Sequence, residues 1–383
     1  MRIAIIVDTF PSVSETFISN KVLYLANRGH QLFVVCNKKN DALFNHLFTN
    51  NKNVAVVLFS KQKLLQYLSL HPGESIAALS KGKDFQKHIY KKFKINTIND
   101  CNADIVHFGF SGIAVTFLPG MEDIKAKKGV SCRGSAEYIK LLAYDERKRL
   151  VKILFDQVDT IHCVSGNMRQ TILPYCSKPE KIFINFPSVD INKFERSSQH
   201  STHNPFIILS VGRFVFQKGY LTGLLAIKKL KELNKNFRWH IVAGGPQEEM
   251  IFHINELGLN EHIVLLGAKL NDEVLELYNE ADIFFLPSIS EGIANVVLEA
   301  MSMQLPVVST RCGGMAEVIT HGKDGLLADV YDSNKLAENL LQLMDNEQLR
   351  KKLGAEARKR VAEQFNIDMQ ASKFEEVYKA LLQ

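Results

Sequence analysis

The chain has 383 residues, which exceeds one ordinary hydrophobic core and suits two domains. Hydrophobic residues make up 46% and charged residues 23%, the balance of a globular protein, and no apolar run approaches the length of a membrane span. The formal net charge of +6 divides into +11 for residues 1–200 and −5 for residues 201–383, so we expect the two halves to meet different partners.

The start of the chain and the cysteines indicate the compartment. Residues 1–8 are too short for the hydrophobic region of a secretory signal and lack a small-residue cleavage pattern, so they predict a strand. The six cysteines show no Cys-x-x-Cys pair and no regular spacing. This usage is typical of a reducing compartment, and we expect a cytoplasmic protein.

In the first half, apolar β-branched runs alternate with amphipathic segments of helical length, which is typical of a parallel, doubly wound sheet. The predicted strands are Arg2–Val7, Gln31–Cys36, Val54–Leu58, Asp104–Phe108, Lys128–Cys132, Thr160–Val164 and Lys181–Ile184. The predicted helices are Glu15–Asn27, Leu65–Leu70, Lys83–Phe93 and Tyr138–Phe155.

Much of the positive charge of this half lies in residues 81–94. On a helix, Phe85, Ile89 and Phe93 form one stripe with lysines around it. One interpretation is peripheral contact with an anionic membrane or a phosphorylated acceptor. The other is an ordinary surface helix with its stripe on the core. No nucleic-acid partner is expected, because the basic residues are not interleaved with a recognisable binding motif.

The second half repeats the plan after a polar linker, residues 190–205. Its predicted strands are Phe206–Val211, Trp239–Ala243, Ile263–Leu266, Ile283–Leu286 and Pro306–Ser309. Its predicted helices are Gly219–Leu233, Gln247–Leu257, Asp272–Asn279, Asn295–Met303, Ser333–Met344, Gln348–Gln364 and Met369–Leu382.

This layout predicts an α/β protein with two Rossmann-like domains, residues 1–195 and 206–365, that face a central cleft. Ligands bind at the carboxyl ends of the strands in such sheets, because helix N-termini converge there. Residues 366–383 form a last helix that we expect to cross back onto the first domain.

Two carboxylates, Glu291 and Glu299, bracket a predicted strand-to-helix turn. One suits the hydroxyls of a sugar, the helix N-terminus between them suits a diphosphate, and the second suits another polyol. Two solvated acids on a helix are the alternative.

Basic side chains and glycines occupy neighbouring strand ends. Arg213 and Lys218 follow a strand, and such a pair can neutralise a diphosphate and stabilise the charge of a departing group. Glycines permit close backbone approach to a ligand. The glycines at these strand ends are Gly212, Gly244, Gly245, Gly267, Gly313 and Gly314.

Several of these motifs agree in order and spacing with a known family. Val211-Gly-Arg-Phe, Ala243-Gly-Gly-Pro, the segment from Ala281 to Ser288, the Glu291–Glu299 pair and Gly313-Gly…Glu317 resemble the donor domain of retaining glycosyltransferases of family 4, which have the GT-B fold. The match spans roughly residues 206–365. The first half resembles the acceptor domain more loosely, and Phe10–Ile18 is similar to the opening of exopolysaccharide members of the colanic-acid type.

The resemblance implies roles for the donor site. Glu291, Arg213 and Lys218 would be the catalytic residues, Glu291 on sugar hydroxyls and the two cations on the phosphates. Glu299 would hold the ribose. The amides of Gly292, Ile293, Ala294 and Asn295 would bind the diphosphate. The backbone of Ala268, Lys269 and Leu270 would face the base.

The first half departs from the family. Where many members have a histidine that approaches the donor sugar, this chain has Arg133, which suits an acceptor carboxylate or phosphate, or the donor diphosphate, and is otherwise a loop cation. His107 is either a residue of the cleft or a buried structural histidine. Ser14 either caps a helix or meets an acceptor phosphate.

The expected activity is metal-independent transfer, with retention, of a hexose-type sugar from a nucleoside diphosphate (UDP before GDP) to a saccharide or lipid-linked saccharide of bacterial surface polysaccharide synthesis. No Asp-x-Asp pair is present, and Arg213 and Lys218 can supply the charge of a metal ion, so no cofactor is expected. The alternatives are a sugar-nucleotide epimerase of similar architecture and a non-catalytic nucleotide-sugar-binding protein.

Overall fold

A computed structural model describes residues 1–12, 15–73, 83–118, 120–196 and 203–383, and it describes the side chains of all of these except residues 83–85. The chain divides into two compact units. Unit 1 comprises residues 1–164, 169–185 and 370–383, and unit 2 comprises residues 165–168 and 186–369.

Unit 1 contains a seven-stranded parallel sheet with the order β5-β3-β1-β6-β7-β8-β9, together with the short pair β2 and β4. The strands are β1 (Arg2–Ile6), β2 (Thr9–Phe10), β3 (Gln31–Cys36), β4 (Lys38–Lys39), β5 (Val54–Leu58), β6 (Ile105–Phe108), β7 (Lys127–Cys132), β8 (Thr160–Cys163) and β9 (Ile182–Ile184). All seven predicted strands are present within one residue at each end.

Helices connect these strands. Their bounds are Thr16–Asn27, Asp41–Phe48, Lys61–Leu70, Lys83–Asn99, Ser111–Ala114, Ser135–Tyr138, Lys140–Ala143, Asp145–Gln157, Gly166–Ile172 and Ile367–Leu382, with 3-10 turns at Val115–Phe117, Met121–Asp123, Leu173–Tyr175 and Pro179–Lys181. The single helix predicted over residues 138–155 is wrong, because Tyr144 adopts an extended conformation (φ −135°, ψ 115°) that separates a short helix from a longer one.

The last helix contributes to the core of unit 1. Phe374 and Tyr378 are fully buried in a hydrophobic cluster that also holds Ile5 and Val22. The first unit ends earlier than the predicted residue 195, because Phe186 and its neighbours downstream pack against the core of unit 2.

Unit 2 contains a six-stranded parallel sheet with the order β12-β11-β10-β13-β14-β15. The strands are β10 (Phe206–Arg213), β11 (Phe237–Gly244), β12 (Ile263–Gly267), β13 (Ile283–Leu286), β14 (Val307–Thr310) and β15 (Leu326–Ala328). Strand β15 was not predicted, because three residues are too few to show a period.

Both faces of this sheet are covered. Adjacent residues of β13, Phe284 and Phe285, belong to two different hydrophobic cores, as expected where successive side chains point to opposite faces. The helices of unit 2 are Tyr220–Glu232, Glu248–Glu256, Asn271–Glu280, Asn295–Ser302, Met315–Val318, Ser333–Asp345 and Glu347–Gln364, with a 3-10 turn at Phe216–Lys218. Among the helices that the structure describes, none combines the length and the apolar character that crossing a bilayer requires.

Candidate functional site

The strand order of unit 2 identifies where a ligand would bind. β10 is the first strand of the unit in sequence and lies in the middle of the sheet. The chain adds β11 and β12 on one side of β10 and then reverses, adding β13, β14 and β15 on its other side. Ligands of doubly wound sheets bind outside the carboxyl ends of the strands at this reversal. The segments that follow β10 and β13 therefore form the candidate site.

Glu291 lies in the segment after β13 and is held by two donors. The Nζ of Lys218 lies 2.7 Å from its Oε1, and the Oγ of Ser288 donates to the same oxygen at 2.8 Å. Both side chains of the ion pair are 14% exposed. Among the described residues no hydrogen bond reaches Oε2, so this oxygen remains available to a hydroxyl group.

The two segments that carry Lys218 and Glu291 are joined through their backbones. The amide of Ile289 donates to the carbonyl of Gln217 at 2.7 Å. Gly219 adopts a left-handed conformation (φ 64°), and a Cβ at this position would overlap the carbonyl oxygen of Pro287. Only glycine fits this position, and its small size allows the contact between the two segments.

Arg213 differs from Lys218 in its surroundings. It is the last residue of β10 and is exposed, and its side chain forms no hydrogen bond or ion pair with any residue in the described part of the chain. The strand end predicted at Val211 is wrong, because β10 continues through Gly212 and Arg213, which pair with Ala243 and Gly244 of β11. The sequence pattern ended the strand too early because glycine is rare within strands.

The helix Asn295–Ser302 begins four residues after Glu291. No side chain caps its N-terminus, and its first turn carries no acidic residue. Its first amides are therefore free of side-chain acceptors at the positive end of the helix dipole, where an anion is stabilised. The preceding residues Gly292, Ile293 and Ala294 are buried, and Gly292 accepts a hydrogen bond from the amide of Gly314 at 2.9 Å.

Glu299 lies on the same helix, and Tyr278 contacts its carboxylate. The Tyr278 hydroxyl lies 3.0 Å from Oε2 of Glu299 and 3.2 Å from the carbonyl oxygen of Val296. Burial raises the pKa of Glu299 to about 7, and the hydrogen bond from Tyr278 and the charge of Lys193 oppose this rise. A carboxylate that ionises near neutrality can accept hydrogen bonds from a ribose diol.

In the segment predicted to face the base, Ala268 to Leu270, some polar groups already have partners within the protein. The amide of Leu270 donates to Glu273 at 2.9 Å, and the Nζ of Lys269 pairs with the same carboxylate at 3.0 Å. The Leu270 amide therefore donates to a side chain in the first turn of the helix Asn271–Glu280 and not to a ligand. Ala268 lies in the irregular stretch that follows β12. The last residue of β12, Gly267, has a positive φ of 70°.

Gly244 and Gly245 lie at the end of β11 and contact the loop after β10. The carbonyl of Gly244 accepts a hydrogen bond from the amide of Phe214 at 2.8 Å. Gly245 has a φ of 111°, a conformation that side chains rarely adopt. The two glycines therefore hold the chain that follows Arg213 close to β11.

In unit 1, His107 is a buried residue and not a residue of the candidate site. It is 1% exposed, its Nε2 is hydrogen-bonded to Ser131 at 2.8 Å, and its ring lies 5.6 Å from that of Phe374. Burial is the largest cause that lowers its pKa well below the usual value for histidine. Ser14 lies outside the described residues.

Arg133 directly follows β7, at the carboxyl end of the unit 1 sheet. Its guanidinium lies over the ring of Phe17, 4.2 Å from the centroid. Its backbone amide donates to Glu137 at 3.1 Å. The residue as a whole is partly exposed, and burial of the guanidinium lowers its pKa to about 10.

The basic segment packs its apolar stripe inward wherever the side chains are described. Ile89 and Phe93 are 4% and 2% exposed and form a cluster with Tyr67, while the side chain of Phe85 is outside the described set. The Nζ of Lys91 donates to the carbonyl of Leu118 at 3.0 Å. For Ile89 and Phe93, the interpretation of an ordinary surface helix is the correct one.

Sequence reasoning missed two residues that support the predicted carboxylates. Ser288 is a small polar residue three positions before Glu291, and this spacing within a turn is a usable signal. Tyr278 belongs to a separate helix, and its pairing with Glu299 has no local signal. In the described part of the chain, no three His, Cys, Asp or Glu side chains converge as metal ligands.

Comparisons with known proteins identify the class. Residues 192–360 match the family Glycosyl transferases group 1. The chain is 27% identical to the amylovoran biosynthesis glycosyltransferase AmsK of Erwinia amylovora, and the alignment covers 96% of each chain. It is also 27% identical to the putative colanic acid biosynthesis glycosyltransferase WcaL of Salmonella typhimurium, again over 96% of each.

Solved structures show the same fold over the whole chain. A glycosyltransferase from Rickettsia africae matches with a TM-score of 0.77 at 19% identity, covering 100% of this chain and 98% of that one. Anabaena HepE in complex with UDP matches with a TM-score of 0.77 at 15% identity, covering 99% and 100%.

The chain is a glycosyltransferase of the GT-B fold. The segment that matches Glycosyl transferases group 1, residues 192–360, contains Glu291, Glu299, Arg213 and Lys218. The predicted fold class and the predicted relationship to exopolysaccharide glycosyltransferases are confirmed. Assignment to family 4 stays a prediction.

Proposed function

We propose that this glycosyltransferase moves a hexose-type sugar from a nucleoside diphosphate, UDP in preference to GDP, to a saccharide or lipid-linked saccharide with retention of configuration. The observation that carries the proposal is the Glu291 carboxylate, held by Lys218 and Ser288 at 2.7 and 2.8 Å beside an uncapped helix start. This arrangement offers an acceptor for sugar hydroxyls next to donors for phosphate oxygens.

Relatives support the choice of donor and pathway. Two relatives that match this chain over 96% of its length are named for amylovoran and colanic acid biosynthesis. HepE, which has the same fold, was solved with UDP and with UDP-glucose. We therefore place this enzyme in the synthesis of a bacterial surface polysaccharide, with a uridine nucleotide as the first donor to test.

In the proposed step, the bond between the anomeric carbon and the diphosphate oxygen breaks, and its electron pair leaves with the phosphate. The acceptor hydroxyl oxygen bonds to the same face of the anomeric carbon, and its proton passes to the departing phosphate oxygen. Arg213 and Lys218 stabilise the charge on the leaving diphosphate. Glu291 orients the sugar through its hydroxyl groups.

We propose that the transfer needs no metal ion. Two cationic side chains lie at the strand end where the diphosphate would bind, and they supply the charge that a divalent cation supplies in other enzymes. We also propose a cytoplasmic location, which is supported by six free, buried thiols of a kind that persist in reducing compartments.

The epimerase alternative is weakened by His107. An epimerase needs a side chain that moves a proton of the sugar, and the candidate histidine of the first half, His107, is 1% exposed and bonded to Ser131. A buried imidazole with a strongly lowered pKa does not exchange protons with a ligand in solvent.

The test is incubation of the purified protein with a panel of UDP- and GDP-sugars and a saccharide acceptor fraction, with and without excess EDTA. We expect release of the nucleoside diphosphate, a glycoside with the anomeric configuration of the donor by NMR, and the same rate in EDTA. An epimerised nucleotide sugar or an inverted product contradicts the proposed reaction. Activity that disappears in EDTA and returns with Mg²⁺ or Mn²⁺ contradicts metal independence alone.

A further inference from the structure

Unit 1 contains four basic side chains that share one neighbourhood: Lys21, His107, Arg133 and His162. The charge of Arg133 contributes to lowering the pKa of each of the other three, after burial as the largest cause for all three. Among the described residues, none of the four forms an ion pair with a carboxylate. The charge of Arg133 is therefore attracted by Glu15 and Glu137 without a direct ion pair to a described residue.

Lys21 has an internal partner that accounts for it. The side chain is 2% exposed, its Nζ lies 2.8 Å from the hydroxyl of Tyr378, and it lies 3.5 Å from the ring centroid of Phe374. The last helix therefore surrounds this ammonium group with a hydroxyl and an aromatic face. These contacts are structural, because they are made inside the core.

The two histidines are joined by a chain of hydrogen bonds, although the Nδ1 of His107 is buried without a partner among the described residues. His107 and His162 both bond to the hydroxyl of Ser131, at 2.8 and 2.9 Å, and the second nitrogen of His162 lies 2.7 Å from the carbonyl oxygen of Asn185. The chain of hydrogen bonds links neighbouring strands of the sheet. It leaves neither imidazole directed towards solvent.

Arg133 differs from the other three residues because it is not fully buried. No hydrogen bond from its guanidinium reaches any described residue, and its Nε is buried without a partner. The residue is nevertheless not fully buried, and its guanidinium carbon lies 4.2 Å from the centroid of the Phe17 ring. A buried N–H group without an acceptor costs free energy unless a ligand completes it.

Neither Glu137 nor Glu15 accepts a hydrogen bond from the Arg133 guanidinium. The carboxylate of Glu137 accepts hydrogen bonds from the hydroxyl of Ser111 and from the amides of Arg133 and Gly134, and it pairs with Arg147 at 3.7 Å. Glu15 attracts the charge of Arg133 but forms no ion pair with it within 4.0 Å. The guanidinium thus lies over the Phe17 ring, and its N–H groups donate to no described residue.

We propose that Arg133 binds an oxyanion of the acceptor, a carboxylate or a phosphate, through paired N–H donors. The inference rests on the proposed function, in which unit 1 receives a saccharide. A guanidinium fixed against an aromatic ring presents two parallel N–H groups at the spacing of a carboxylate or phosphate edge. The proposal makes the acceptor an acidic saccharide, either a uronic acid or a phosphorylated sugar.

The test uses the full chain saturated with UDP, so that the phosphate-binding residues of unit 2 are occupied. Three probes are titrated by ligand-observed NMR: methyl glucuronide, methyl glucoside and glucose 6-phosphate. We expect one acidic probe to bind roughly tenfold more tightly than methyl glucoside, the scale of a charge-assisted hydrogen bond. Tighter binding of the glucuronide identifies a uronic acid, and tighter binding of the phosphate identifies a phosphorylated sugar.

Three variants connect the preference to Arg133. Arg133→Met should abolish it, and Arg133→Lys should keep a part of it, because lysine retains the charge but loses the planar pair of donors. Lys52→Met removes an exposed cation elsewhere in unit 1 and should leave the preference unchanged. The melting temperature of Arg133→Met should change little, since the guanidinium forms no hydrogen bond or ion pair with a described residue and methionine can still pack on Phe17.

Several results would overturn the inference. Equal binding of acidic and neutral probes to the wild-type chain, or a preference that persists in Arg133→Met, rejects it. A large fall in the melting temperature of Arg133→Met assigns the side chain to the fold. Failure of UDP itself to bind is a separate result that rejects the proposed donor site, and it is measured before any probe is added.

Discussion

The two units hold their cationic side chains in different ways. In unit 2, Lys218 pairs with Glu291, and both side chains remain 14% exposed. In unit 1, Lys21 is 2% exposed and meets a phenol and an aromatic ring instead of a carboxylate. The comparison shows that a lysine of unit 2 is accessible to solvent and paired with a carboxylate, whereas a lysine of unit 1 is part of the core.

The largest expected effect concerns the accessible pair. We expect Glu291→Ala and Lys218→Ala each to lower turnover by roughly two orders of magnitude or more, because each removes a preorganised charged group from the candidate site. Turnover is measured from the release of nucleoside diphosphate at saturating donor.

Glu276→Ala is the matched control, because Glu276 is an exposed acid of the same unit outside the strand-end segments. Its turnover should equal that of the wild-type enzyme. If a folded Glu291→Ala variant turns over at the wild-type rate, the candidate site in unit 2 is not the catalytic site.

A second effect follows from the raised pKa of Glu299, about 7. Below this pH the carboxyl group is protonated and must lose its proton before it accepts two hydrogen bonds from a ribose. The affinity for a nucleoside-diphosphate sugar should therefore fall by up to tenfold per pH unit below 7 and be constant above it. The dissociation constant is measured by calorimetry between about pH 5.5 and 8.5.

Variants of Tyr278 and Glu299 test whether the pH dependence of donor binding comes from this carboxyl group. The hydrogen bond from Tyr278 lowers the pKa of Glu299, so Tyr278→Phe should move the midpoint to higher pH. Glu299→Gln should remove the pH dependence. A midpoint that is unchanged in Tyr278→Phe would show that the phenol only packs against the helix.

A smaller effect tests how the two segments of the site are held together. Gly219→Ala should destabilise the protein by more than Gly322→Ala in urea unfolding. Both glycines have positive φ values, 64° and 79°, but a Cβ at Gly219 overlaps the carbonyl of Pro287, whereas one at Gly322 meets nothing within 4 Å. The left-handed conformation alone costs about 1 kcal/mol. Equal losses would mean that the two segments can separate freely.

The sequence was most informative where strands end. The pattern predicted the strand before Glu291, the helix that begins at Asn295 and the neighbouring cations, because parallel strands and helix starts have strong local signals. It could not predict that Ser288 and Lys218 bind the same oxygen, because a loop from another strand brings Lys218 to that place.

Unit 1 was harder to read from sequence. His107 looked equally suited to a cleft and to a core, and the difference depends on Phe374, which follows it by more than 250 residues. A long-range contact of this kind leaves no trace in a local pattern. Arg133 was found only as a departure from a resemblance, and its unsatisfied Nε emerged from the fold.

The smallest expected effect concerns the basic segment of unit 1. Ile89 and Phe93 are buried and therefore cannot enter a bilayer, and we expect the full chain to stay in the supernatant when anionic vesicles are sedimented at low salt. Phe93→Ala separates the two interpretations. A core residue of this size costs about 3–5 kcal/mol when truncated, so the melting temperature should fall while vesicle binding stays negligible. Strong, salt-sensitive adhesion that Phe93→Ala removes at an unchanged melting temperature would place this side chain at a membrane surface.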